Sequence, residues 1–255
     1  ISEHQIDWVV FHPQHLQQIE SIQLEKPIQI WLKINTGMNR MGIDPQQANE
    51  AISRLQHASS TTAMPFLMSH FASADQKPSE HVATQYSCFL NTIAHHQASR
   101  SLANSAAILN YPETAFEWSR PGIVLYGGSP LPNTTGKDLN LTPAMEVNAR
   151  LLTTHRCLKG ESVGYSGWWQ CKEDTPIGIV SFGYADGYPR QMPHGAPVMI
   201  NGQQARTLGR ISMDTLIVDL SNCPNAKIGD WVTLWGPDLP AETIAKRAGT
   251  SMYQL

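Results

Sequence analysis

The chain has 255 residues, 41% of them apolar and 15% charged, with a formal net charge of −3, enough to bury one large core or two ordinary ones. No basic stripe offers nucleic acid a footprint, and the longest apolar runs, such as Ile177 to Phe182, are far too short to span a bilayer. The opening Ile1-Ser2-Glu3-His4 has neither the basic region nor the apolar stretch of a secretion signal, and Cys88, Cys157, Cys171 and Cys223 stand far apart without paired spacing, so reduced thiols in a cytoplasmic protein are expected.

In chain order, Trp8 to Phe11 reads as a strand and Pro13 to Ile22 as a helix with proline in its first turn. Ile28 to Ile34 is the next strand, followed by a helix over Pro45 to Leu55. Phe66 to Ser69 is a third strand, then a long helix runs from Ser79, its cap, to Ala98. Leu102-Ala103 and Ile123 to Leu125 read as two further short strands. Strands alternating with helices imply either a (β/α) barrel or an open doubly wound sheet. Polar residues close almost every strand, at Lys33–Asn35, Ser69-His70 and Asn104-Ser105, and this favours the barrel, whose active sites gather at that rim.

The texture changes around Leu131 to Thr142, where Pro132-Asn133-Thr134-Thr135-Gly136 is rich in turn formers. Strands then recur without helices between them: Met145 to Thr153, Pro176 to Phe182, Ala196 to Ile200, Thr215 to Leu220 and Trp231 to Leu234. Asn201-Gly202 signals a type I′ hairpin, and one late helix covers Ala241 to Ala248. The expected architecture is α/β plus β: a (β/α)8 TIM-type barrel over residues 1–141, then a mostly antiparallel β domain over 142–255. A typical barrel takes roughly 250 residues, so the barrel here is expected to be incomplete, about three βα units short at its front.

Several polar groups fall where a barrel rim would put them. Lys33 to Gly42 leaves a strand into a glycine-punctuated loop around Arg40, which read alone is equally a solvated arginine. His70 follows a strand end, where a histidine is often structural. Asn104-Ser105 can present a hydroxyl and backbone amides to a phosphate, and Arg120-Pro121-Gly122 sets a fixed cation beside a glycine that permits close approach. No metal-ligand spacing appears.

Together and in this order, these stretches resemble the alanine racemase family of fold-type III, pyridoxal-phosphate-dependent enzymes. The matching motifs are KINTGMNRMG (Lys33 to Gly42), SHFASAD (Ser69 to Asp75), LANSAAIL (Leu102 to Leu109) and RPGIVLYGGSP (Arg120 to Pro130). GESVGYSG (Gly160 to Gly167), GYADGYPR (Gly183 to Arg190) and GRISMD (Gly209 to Asp214) follow in the β domain.

The resemblance implies interconversion of L- and D-alanine with pyridoxal 5′-phosphate, supplying D-alanine for bacterial peptidoglycan. It implies a cytoplasmic homodimer with shared sites. Arg40 is similar to the arginine that contacts the cofactor's phenolic oxygen and the substrate carboxylate. Ser105, beside Asn104, and the backbone of Gly122 and Ile123 resemble the phosphate cradle. Arg120 resembles the arginine facing the pyridine nitrogen, with His70 bridging it toward the catalytic Tyr165. Tyr184, Met213 and Asp214 look like the second subunit's contribution to the pocket. Racemisation needs an acid/base group on each face of the α-carbon. A phenol, with a pKa of about 10, serves near neutrality only when cations stabilise its anion. An arginine at the ring nitrogen disfavours protonating it, which suppresses transamination. Lys33, near Arg40 in the resemblance, is expected to carry a carbamate.

The resemblance also implies a first-strand motif, a lysine closely followed by a tyrosine and glycines, that holds the cofactor as a Schiff base. No such motif stands in this chain: Lys26 and Lys77 precede prolines and Lys159 precedes a glycine. A terminal segment with a phosphate-contacting tyrosine is not found by Leu255 either. The chain is therefore expected to be an N-terminally truncated piece, inactive alone, of an active parent. The other readings are a broad-specificity amino-acid racemase, separable by an amino-acid panel, and a single-domain pyridoxal-phosphate-binding protein, against which Tyr165 and GYADGYPR speak.

Overall fold

The structure, a computed structural model, describes residues 3–62 and 64–255. Ile1 and Ser2, part of the opening read above, lie outside the described residues. Contacts divide the chain into two compact units, Ile1–Gly122 with Pro130–Pro132, and Ile123–Ser129 with Asn133–Leu255. That division precedes the change of texture on which a boundary at 141/142 rests.

In the first unit, strands and helices alternate: β1 (Trp8–Val10), α1 (Pro13–Ser21), β2 (Ile30–Lys33), α2 (Ala48–His57), β3 (Phe66–Met68), α3 (Glu80–Ile93), β4 (Arg100–Asn104), α4 (Ser105–Asn110) and β5 (Trp118–Arg120). The strands form one parallel sheet in the order β1-β2-β3-β4-β5. A doubly wound sheet reverses its order at a switch point; an order that simply follows the chain is the wall of a TIM-type barrel. The strands' period of two decides what each face carries. Ile30 and Leu32, with Leu67 and Leu102, lie in one core with Leu16, Ile19, Ile52, Leu55 and Phe89 of the helices. Burying each such side chain contributes about 1.5–3 kcal/mol. The alternate positions put Trp31, Phe66 and Trp118 in contact, ring centroids 4.9–6.2 Å apart. Two residues further along the same strands stand Lys33 and Arg120, so that face runs from aromatic to cationic toward the strands' C-terminal ends.

The second unit contains β6 (Val147–Cys157), β7 (Ser162–Val163), β8 (Trp169–Gln170), β9 (Thr175–Val180), β10 (Pro197–Ile200), β11 (Gln203–Leu208), β12 (Leu216–Asp219), β13 (Trp231–Trp235) and α5 (Ala241–Ala248). Six of these strands close an antiparallel barrel in the order β10-β11-β12-β9-β6-β13, and β7 pairs with β8 as a separate ribbon. Leu151, Val180, Val198, Ile200, Leu216, Val218, Val232 and Leu234 belong to its core. Asn201 (φ 50°) and Gly202 (φ 74°) are both left-handed, as a type I′ hairpin requires, and join β10 to β11.

Two expectations need correction. The apolar run Ile123–Leu125 is not a strand but part of a 3₁₀ turn, Ile123–Tyr126, with Gly128 N donating to Ile123 O at 3.1 Å. The strand lies earlier, at Trp118–Arg120, and ends before Pro121, which has no amide to give a ladder. Helix α3 keeps its Ser79 cap but stops at Ile93, short of Ala98. The four cysteines are free, as expected, and Cys157 and Cys171, distant in sequence, share a small core with Val163, Ile177 and Leu208.

Candidate active site

The first unit gathers its polar groups at the C-terminal ends of β2 to β5. Lys33 closes β2 and is buried, 8% exposed. The loop after it is pinned at its base by Asn35 N donating to Ile43 O (2.9 Å) and Ile43 N to Lys33 O (2.8 Å). Asn35 also accepts from Gly37 N (3.2 Å) and Asn39 N (3.0 Å), a tight turn with Asn39 left-handed at φ 56°. Arg40 follows, exposed at the tip.

Past β3, Ser69 Oγ donates to Ile34 O at 2.8 Å and lies 2.7 Å from Thr36 Oγ1. Gln85, fully buried on α3, donates to His70 O (3.0 Å) and accepts from Ala72 N (2.9 Å), holding the peptide that carries His70. Arg120, at the end of β5, donates to Ser69 O at 2.5 Å and to Ser101 Oγ, and its Nη2 stands 3.4 Å from His70 Nδ1. An arginine has only protons to give, so Nδ1 accepts and the ring proton of neutral His70 sits on Nε2. Burial first, then Arg120, Lys33 and Arg40, pushes the His70 pKa down to about 4, which keeps the ring neutral near pH 7. Burial, with Arg40 and Arg120, also holds the Lys33 ammonium below the usual lysine value.

No ion pair among the described residues involves Lys33, Arg40 or Arg120. Three cations facing one another in a half-buried place without a carboxylate form a site that attracts anions. Beside them, Asn104 caps α4 by accepting from Ala107 N at 3.0 Å, and buried Ser105 accepts from Gly122 N at 2.7 Å. Asn104 is thus engaged with its own helix, while Ser105 and Gly122 are brought together. Ile123, the next residue, belongs to the second unit, where its amide donates to Tyr253 Oη at 3.2 Å.

Tyr165, Tyr184, Met213 and Asp214 line one groove of about 920 Å³ in the second unit, with Trp168 and Arg210. Tyr165 is 70% exposed on a turn whose Gly164, Ser166 and Gly167 all have positive φ. The Arg210 guanidinium stacks over Trp168 at 4.5 Å and that of Arg190 over Tyr184 at 5.2 Å. Sequence reasoning assigned no role to Gln85, Ser101, Trp168, Arg190 or Arg210. Arg190 and Arg210 lay inside the quoted motifs; buried Gln85 left no local signal.

The description "Alanine racemase, N-terminal domain" matches residues 1–130 and "Alanine racemase, C-terminal domain" residues 144–255. The chain belongs to the alanine racemase family. The alanine racemase of Shewanella amazonensis is 42% identical over 253 residues, covering 99% of this chain and 70% of its own length. That of Shewanella frigidimarina is 42% identical over 252 residues, 99% of this chain and 68% of the relative. Among solved structures, the biosynthetic alanine racemase of Pseudomonas aeruginosa superposes with a TM-score of 0.94 at 40% identity, over 99% of this chain and 70% of that one. The enzyme of Acinetobacter baumannii gives 0.91 at 34% identity, over 99% and 71%. A match running through residues 144–255 removes the single-domain binding protein from the readings.

Proposed function

We propose that this chain serves pyridoxal-phosphate-dependent interconversion of L- and D-alanine, in the cytoplasm of a bacterium that draws on D-alanine for its cell wall. The observation that carries the proposal is the uncompensated cationic rim of Lys33, Arg40 and Arg120 around a neutral His70, beside the Ser105–Gly122 pair. Such a donor set fits an anionic cofactor together with a carboxylate substrate. The relatives are named alanine racemases, and the Bartonella henselae family member, 26% identical with a TM-score of 0.86, is described with covalently bound pyridoxal phosphate.

When bound, pyridoxal phosphate supplies the conjugated ring that withdraws electrons from the alanine α-carbon. This chain's own residues do the rest. Ser105 and the backbone of Gly122 and Ile123 would hold the phosphate once the two amides give up Ser105 Oγ and Tyr253 Oη, with Asn104 ordering the start of α4. Arg40 orients the phenolic oxygen and the substrate carboxylate. Arg120 faces the ring nitrogen and, being unable to give up a proton in practice, leaves that nitrogen unprotonated. Tyr165 exchanges the α-proton with L-alanine. Tyr184, Met213 and Asp214 bound the substrate. On the resemblance to the alanine racemases, the active site is proposed to be completed across a homodimer.

Of this chain's lysines only Lys33 stands at the rim, and its place among Arg40 and Arg120 suits a carbamate, formed when the free amine attacks carbon dioxide and releases a proton. The carbamate would replace repulsion by a charge-assisted bond to Arg40. Density for a planar three-atom extension beyond Nζ supports that assignment, and a bare amine removes it. The lysine that joins the cofactor is none of those in this sequence.

The test of the reaction is directional. In a holoenzyme that supplies the cofactor's lysine beside this chain, Tyr165→Phe should exchange the α-hydrogen of D-alanine with solvent deuterium yet fail to invert it. Equal loss of exchange from both enantiomers would overturn the role of Tyr165, and no alanine turnover by the wild-type holoenzyme would overturn the reaction.

A further inference from the structure

Two loops wall the second unit's groove, one presenting Tyr184 and the other Met213 and Asp214. They are fastened by backbone alone: Tyr184 N donates to Ser212 O at 3.0 Å and Ala185 N to Met213 O at 2.9 Å. Gly183 lies at that crossing. A Cβ placed on it would stand 2.1 Å from Met213 O, 2.4 Å from the same carbonyl carbon and 2.5 Å from Ser212 O. All three atoms are backbone, so no side chain can swing away to make room. Its φ of −137° is extended and open to any residue, so space is what requires glycine here.

Neither loop is free to retreat. Gly183 N donates to Asp186 Oδ2 at 2.9 Å, and Tyr188 N to Gly183 O at 3.2 Å. The Tyr188 ring, 1% exposed, stacks on Trp235 at 6.2 Å and meets Phe182 edge-on at 6.4 Å. On the other side Ser212 N donates to Thr215 O at 3.0 Å, closing the loop that holds Met213 and Asp214.

We infer that Gly183 is a positioning residue of the reaction: its bare Cα lets the two loops lock at one spacing, so that Tyr184, Met213 and Asp214 form a single rigid wall whose distance sets the size of amino acid admitted. The inference rests on the reading that these three residues face the substrate. An alanine at 183 must push the Met213 carbonyl back by roughly 1 Å to reach van der Waals separation. A misplacement of about 1 Å in a positioning element costs on the order of a hundredfold in rate. The wall recedes, the small side chain of alanine loses its fit, and a larger one gains room.

In the holoenzyme, Gly183→Ala should raise the KM for alanine by about tenfold or more. The cofactor's absorbance and its dissociation constant should stay as in the wild type, because none of the residues read as cofactor contacts is among the atoms crowded at Gly183. The ratio of serine to alanine turnover should rise several-fold, a change that simple loss of structure does not produce. Asp186→Ala, which frees the Gly183 amide without adding an atom at the crossing, should shift both quantities the same way by less. It decides the question if the first variant does not fold. Wild-type alanine KM and serine ratio in the folded variants overturn the inference, as does a loss of cofactor binding in step with activity. Failure of the wild-type holoenzyme to racemise alanine overturns the functional reading instead.

Discussion

The two units solve the problem of holding a polar site in opposite ways. In the first, the candidate side chains are set among strand ends: Lys33 is buried, Arg120 is tied to Ser69 and Ser101, and the His70 carbonyl to Gln85. In the second, Tyr165 and Met213 stand exposed, and what is fixed is the backbone beneath the groove's loops. Charges that must act at short range need a place from which water is partly removed. Substitutions in the first unit should therefore cost stability and activity together, whereas those at Tyr165 should cost activity alone.

Subunit mixing breaks the comparison most sharply. Tyr165→Phe subunits and Arg120→Ala subunits should each be nearly dead, since a general acid/base contributes about 10²–10⁴-fold and an electrostatic donor about 10²–10³-fold. Random reassortment of the two makes half the dimers hybrid, each with one intact site, so activity should return to about a quarter of the wild-type value. If both stay dead after mixing, the sites are built within single subunits.

Gln85→Ala separates the units energetically. It strips the partners of the His70 carbonyl and the Ala72 amide from a fully buried place, and should lower stability to urea by about 1–3 kcal/mol. Tyr165→Phe, at an exposed side chain, should leave the unfolding midpoint unchanged. Equal stability of both variants would mean that the two half-sites are built alike.

The third effect is a pH dependence. Because the folded His70 pKa is pushed down to about 4 from the ordinary 6.5, the unfolded chain binds the proton more readily. Its contribution is then complete above the ordinary value and is lost as pH falls from 6.5 toward 4. The stability of the cofactor-free protein should fall across that window, and His70→Gln should flatten the slope. Adding pyridoxal phosphate, whose charge offsets Arg40 and Arg120, should raise the His70 pKa seen by NMR. An unmoved resonance would place the anion elsewhere.

Much of this comparison was legible in sequence because it rests on local patterns. Ile30 and Leu32 alternating with Trp31 and Lys33 announce a strand with one core face, Asn201-Gly202 announces its hairpin, and the Ala241–Ala248 helix lies where its composition put it. What escaped was set by distant partners or by one overriding residue. Ile123 to Leu125 has the composition of a strand, yet Pro121 closes the ladder before it. Gln85 reads as an ordinary helix residue until its partners, His70 and Ala72, arrive from another loop. Cys157 and Cys171 meet only because the β7–β8 ribbon folds back between them. Tyr165 is singled out by its motif, but nothing local announced that Trp168 would brace Arg210 in the same groove.

The closed circuit of six strands in the second unit has a consequence for association. Each of its strands is paired on both sides, so no row of free amides and carbonyls invites another chain to add a strand. The first unit's sheet has β1 and β5 with one unpaired side each. Among the described residues, any tendency of this chain to aggregate by strand addition is thus confined to those two edges and to the short β7–β8 ribbon.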